Sequence, residues 1–216
     1  MHVESYLQAQ NKMNEGIIKK VFGADEIECF AKSDYCWADN RVSRPISKRN
    51  VAKGNIYQFD FGKNYIPEMS YEHRGLVIGV KKKLLYVLPI FSFKADKHTD
   101  VFHPLDHPGS KSDLYLLKSS EFPFIKRDSV LKLNDLRTVS INRILYQHSG
   151  RIDPASHAYN TIVSLVLRKC FPDFYHDYEK QGQDMEDTLS RVRSLEEENE
   201  KLKQEMGRLR GRTDAQ

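Results

Sequence analysis

The feature that most constrains this chain is the punctuation of its centre. Between residues 51 and 150 the apolar runs are short, rich in β-branched and aromatic residues, and closed off by Gly, Pro, Asn or Asp. They read NIYQFDF (55–61), GLVIGV (75–80), LLYVLPIFSF (84–93) and SVLKLNDLRTVSI (129–141), with no long helical stretch between them. Short strands joined by turns build a compact β-barrel or a curled antiparallel sheet.

The flanks read differently. Tyr6, Leu7, Met13, Ile17, Ile18, Val21 and Phe22 recur at helical spacing before Gly23, so a short helix followed by a loop is expected at the start. The polar, Pro-containing DNRVSRPISKRN (39–50) reads as a linker. After Asp153-Pro154, AYNTIVSLVLRKCF (158–171) places Ile162, Leu165, Val166 and Lys169 at helical spacing, with Pro172 as its stop.

The final segment carries a heptad repeat. Position a falls on Met185, Val192, Asn199 and Met206, and position d on Thr188, Leu195, Leu202 and Leu209. Each g residue then faces an opposite charge on a parallel partner: Arg191 with Glu196, Glu198 with Lys203, Glu205 with Arg210. Asn199 at an a position favours two strands in one register. A parallel dimer is expected, although the same helix could pair with another protein. The expected organisation is therefore an N-terminal helical extension and linker (1–50), a β-domain (51–177), a coiled coil (178–211) and a disordered tail (212–216).

Composition narrows the function. With 30% charged residues and no run of ~20 apolar ones, the chain offers no spanning helix. The opening MHVESYLQAQNKMNEG has no apolar core of a secretory leader, so a cytoplasmic protein is expected. Cys29, Cys36 and Cys170 form no CxxC and read as free thiols. Of the net +4, the centre (51–150) holds more than its share: 15 basic against 10 acidic residues, and five of the eight histidines. A local excess of +5 suits an anionic partner.

Two segments of the β-region carry the chemistry. Arg74 opens a strand in Glu72-His73-Arg74-Gly75, and Arg137 lies in Arg127-Asp128-Ser129-Val130 through Ser140. Guanidinium forks match phosphate oxygens, and two of them near a strand end could hold a phosphodiester. Arg74 could equally pair with Glu72 or Asp60.

These segments resemble the MazF/PemK (Kid) family of toxins from type II toxin–antitoxin systems. GNIYQFDFG (54–62), HRGLVIGV (73–80), LPIFS (88–92) and DSVLKLNDLRTVS (128–140) follow that family's motifs in order and rough spacing. The resemblance covers about residues 52–170 and implies a mainly β fold: an SH3-like curled antiparallel barrel with a closing helix at 158–171. It implies dimerisation through the barrel, with a cognate antitoxin as a candidate partner. It also implies cleavage of single-stranded RNA by 2′-OH attack, with no metal or other cofactor. Arg74 matches the family's catalytic arginine, and Arg137-Thr138 its basic-hydroxyl pair, read as an RNA contact.

The family's catalytic threonine position holds Phe91, and the nearest hydroxyl is Ser92. A one-residue offset on a strand reverses the face, so Ser92 serves only if a bulge or register change re-aims it. His73, beside Arg74, is the histidine expected to assist. Lys94 and His98 open a loop (94–113) that also holds His103 and His107; it reads as a cover for an RNA groove or a solvated loop, more than as a metal site. Tyr57, Phe61 and Tyr65 are candidate stacking faces for unpaired bases. The competing reading is a barrel that has lost its chemistry and binds protein or nucleic acid, as the similarly folded CcdB toxins poison a protein target.

Overall fold

The computed structural model describes residues 2–19, 23–40 and 51–213. Val21, Phe22, most of the expected linker and residues 214–216 lie outside the described residues, as do the side chains of Ile18, Glu205, Leu209 and Arg210. The elements run α1 (His2–Lys19), α2 (Ala24–Asn40), β1 (Asn55–Asp60), β2 (Glu72–Lys81), β3 (Leu84–Ser92), β4 (Leu114–Leu117), β5 (Ser129–Lys132), β6 (Arg137–Ser140), β7 (Ile144–Arg151), α3 (His157–Cys170) and α4 (Pro172–Thr213). Contacts divide the chain into two compact units, Met1–Val166 and Leu167–Gln216.

The seven strands form one antiparallel sheet in the order β4-β5-β3-β2-β1-β7, with β6 joining β3 beside β5. β3 organises it. One edge pairs with β2 along its length; the other is shared, Leu84–Val87 with β6 and Ile90–Ser92 with β5. The run 129–141 becomes two strands because Asn134-Asp135 makes a turn, the Asp135 N–H donating to Lys132 O at 3.3 Å.

This sheet is not closed into a barrel, which corrects the expectation. Among the described residues nothing pairs β4 with β7. The outer edge of β4 is occupied instead: Phe102 N–H donates to Leu114 O at 2.8 Å, and Leu116 N–H to Phe102 O at 2.9 Å. An irregular segment thus satisfies the edge that closure would have needed. The fold is also mixed α/β rather than mainly β, since α4 alone holds 42 residues. Among the described residues no helix is long and apolar enough to cross a membrane.

Two helices depart from the sequence reading. Residues 24–40, expected as loop and linker, form α2. The segment ADEIECFAKSDYCWADN contains neither Gly nor Pro, and its first turn carries Asp25 and Glu26, which favour the positive end of a helix dipole. Its buried Ser33 donates to the buried Asp60 carboxylate at 3.0 and 3.2 Å, tying the helix to the end of β1. α4 continues helically to Thr213, across the start of the expected tail. It begins at Pro172, which lacks an N–H and ends α3 while suiting a first helical position.

The sheet has two unlike faces. Odd-numbered residues of β1 (Tyr57, Phe59) join Phe61, Val77, Leu85, Val87, Val139, Ile141 and Ile144 in one buried cluster. The even-numbered face starts apolar, with Ile56, Leu76 and Leu88 in register and buried. The next row is Gln58, Arg74 and Ile90; then come Asp60, Glu72 and, on β3, Ser92. α3 buries Tyr159, Ile162, Leu165 and Val166, and the Tyr159 hydroxyl donates to Ile78 O at 2.9 Å.

Gly75 sits where the sheet is tightest. A Cβ there would lie 2.4 Å from Val87 Cγ1 and 2.9 Å from Phe59 Cδ2, both fully buried. Gly75→Ala is expected to destabilise the fold by about 1–3 kcal/mol through overpacking. Chemical denaturation monitored by circular dichroism checks this, and an unchanged midpoint would refute it.

Candidate active site on the sheet

A cleft of about 550 Å³ opens over the even-numbered face. Its polar lining is Gln58, Glu72, His73, Arg74, Ser92, Lys126, His148 and Ser149. These come from five separate segments of the chain, so only the fold assembles them.

Arg74 is the centre of the cleft. β2 places it between Gln58 of β1 and Ile90 of β3. Its Nη2 donates to Ser129 Oγ at 3.1 Å, and that fully buried hydroxyl donates onward to Arg127 O at 2.9 Å. Ser129 therefore holds the guanidinium in one orientation. The adjacent Asp128 anchors the turn before β5, accepting from Ser119 N–H at 2.8 Å and Ser119 Oγ at 2.7 Å, which holds its carboxyl below the usual range. Neither Glu72 nor Asp60 forms an ion pair with Arg74: Asp60 accepts from Ser33 and Gly62 N–H instead, and no carboxylate among the described residues is within 4.0 Å of the guanidinium. A half-buried cation without a counter-charge is a receptor for an anion.

His148 is the titratable neighbour. It stands on β7, two residues beyond Tyr146, which pairs with Gln58. Its Nε2 is 3.2 Å from Gln58 Oε1, and its ring centroid lies 5.2 Å from that of Tyr146. Burial lowers its pKa from the ordinary histidine value, and the Arg74 charge lowers it further. The imidazole is thus held neutral, and available as a proton acceptor, at pH values where a free histidine is partly charged.

The expected residues are distributed as follows. Ser92 lines the cleft with Arg74 and needs no re-aiming bulge: Arg74 pairs with Ile90, and Ser92 is two residues on, hence on the same face. Phe91 packs its ring on His98 at 5.3 Å. His73 pairs in register with Phe59, off Arg74's face by strand alternation, yet it too lines the cleft; His148 lines it from Arg74's own face. Burial and the Arg74 charge lower the His73 pKa as well.

Arg137 and Arg74 are not brought together. Arg137 pairs in register with Val87, on the odd-numbered face. Its Nε donates to Asp135 Oδ1 at 2.7 Å, its Nη2 is 3.4 Å from Glu68 Oε2, and the guanidinium lies 5.7 Å over the Phe61 ring. Two carboxylates lie against it and offset the positive charge expected to grip a phosphate. Thr138 lines the same separate depression of about 290 Å³, with Asn64 and Arg143. Tyr57 is fully buried and accepts from Asn55 Nδ2 at 3.1 Å, so it offers no face to a base. Lys94 donates its N–H to His98 Nδ1 at 2.9 Å, and His98 leans on Phe93 as well as Phe91. In the same loop His103 is fully buried, 3.0 Å from both Asp106 and Glu121. Among the described residues no cluster of three or more His, Cys, Asp or Glu is placed to hold a metal ion.

Ser129, His148, Gln58 and Lys126 escaped the sequence reading. Ser129 stood inside the quoted DSV run without a role. His148 belongs to a strand that went unread, although Tyr146-x-His148 has the two-residue period of a strand face.

The His148 environment makes a measurable prediction. In an NMR titration its pKa should fall below the ordinary value of about 6.5. Arg74→Gln removes a cation and should raise that pKa toward the ordinary value without fully restoring it, because burial, the larger cause, persists. An unchanged pKa would show that the two groups do not communicate. Compared with known proteins, the chain matches no family model and no curated protein.

Proposed function

We propose that this cleft cleaves single-stranded RNA by intramolecular attack of a 2′-OH, as the resemblance to the MazF/PemK toxins implies. The carrying observation is Arg74: a half-buried guanidinium, aimed by Ser129, with no carboxylate partner in an open cleft. A phosphodiester supplies the missing anion.

The residues divide the work as follows. His148, neutral because of burial and Arg74, accepts the 2′-OH proton through its unprotonated ring nitrogen. The 2′-oxygen bonds to phosphorus as the bond from phosphorus to the 5′-oxygen breaks, and Lys126 at the cleft gives that oxygen a proton. The products are a 2′,3′-cyclic phosphate and a 5′-OH, with His148 left protonated and Lys126 neutral until solvent exchanges the proton between them. Arg74 takes the charge that builds on the non-bridging oxygens, where a preoriented donor is most effective. Ser92 adds a hydroxyl hydrogen bond to the same phosphate. His73 also lines the cleft, but strand alternation turns it from Arg74's face, so His148 takes the proton.

A binding module without chemistry is the second reading, and Phe91 favours it: an aromatic ring packed on His98 stands where the family carries a hydroxyl.

Incubation of the purified protein with end-labelled unstructured RNA in EDTA separates the two. Cleavage to 5′-OH products, lowered about 10²–10³-fold by Arg74→Ala and about 10²-fold by His148→Gln, is expected, with both variants retaining the native circular dichroism spectrum. Because only neutral His148 accepts a proton and its pKa is lowered, the rate should rise with pH through a value below about 6.5 and level off above it. RNA retention without cleavage would leave the binding module. Full cleavage by Arg74→Ala would remove Arg74 from the mechanism.

A further inference from the structure

α4 is a 42-residue helix, about 63 Å long at 1.5 Å per residue, with nearly every described side chain exposed. A helix in water draws most of its stability from burying an apolar face. Such a face exists here and is uncovered: Phe174, Tyr178, Met185, Val192, Leu195 and Leu202 are 44–67% exposed. They fall on the a and d positions of a single heptad register, and the seam begins at Phe174, about three turns before the repeat legible at Met185.

We propose that the occupant of this face is α4 of a second copy of the same chain, in parallel and in register. Charge complementarity selects it. In that arrangement Arg191 meets Glu196 of the second copy and Glu198 meets its Lys203, each pair occurring twice by symmetry. Within its own helix Lys203 pairs with Glu200 at 2.9 Å, an exposed pair of little worth that a stronger partner can replace. Asn199 sets the direction. In a parallel pair it faces its own symmetry mate and the two amides bond each other. In an antiparallel pair position a meets position d, and the amide would be buried against an apolar side chain. Parallel pairing puts the two Pro172 ends side by side, so both copies of the preceding unit leave the seam at one end. This inference does not depend on the nuclease reading.

The test uses the full chain carrying Val192→Cys, oxidised gently and mapped by peptide mass to separate the new bond from any at Cys29, Cys36 or Cys170. A disulfide joining position 192 to position 192 in most of the protein is expected, and this reads the helix even if the first unit also self-associates. Glu198→Lys should weaken association about tenfold by placing like charges together twice, and adding Lys203→Glu should restore it. A species sedimenting at the single-chain mass of 25.2 kDa with α4 still helical would overturn the proposal. So would the lack of a 192–192 bond, or a charge reversal that the second substitution fails to rescue.

Discussion

The register of β1, β2 and β3 is the constraint on which the rest depends. It lines up Gln58, Arg74 and Ile90 in one row, behind which Ile56, Leu76 and Leu88 are buried. The side-chain period of a strand is two, so a slip of one residue would turn Arg74 into the buried cluster with Phe59 and Val87. The cost of burying that charge is what pins the register, and the same register leaves the guanidinium facing the cleft. Fold stability and the candidate chemistry thus rest on one alignment.

Gly75 and Ser129 show how the alignment is kept. Gly75 lets β2 press against Phe59 and Val87, where any side chain would force the strands apart. Ser129 arrives from β5, opposite Ser92, and fixes the cation from the far side of β3. The short DSV segment does two jobs. Asp128 holds the preceding turn through Ser119, and Ser129 orients Arg74.

Much of this was legible in the residues because strand patterns are local. The boundaries of β1 and β3 and the helix at 157–170 follow from period and punctuation, while Arg74 stood out through the resemblance to a known family. α2 was not legible, because it is tied to the sheet domain by polar contacts, Ser33 with Asp60 and Asp34 with Lys63, rather than by an apolar stripe. Nor was the open sheet: the β4 edge is taken by Phe102, a segment whose residues carry no strand pattern. Arg137 illustrates the same limit, since its second carboxylate, Glu68, comes from a loop 69 residues away in the chain.

The sequence by itself determined the antiparallel strands, the heptad stripe and a basic centre, because each is a pattern of neighbours along the chain. Only the tertiary structure decided which basic and histidine side chains share a site. His73 reaches the cleft beside its chain neighbour Arg74, but only pairing across the sheet brings His148 there from 74 residues away, on Arg74's own face. Chemistry requires proximity in space, and strand pairing supplies what the chain order does not.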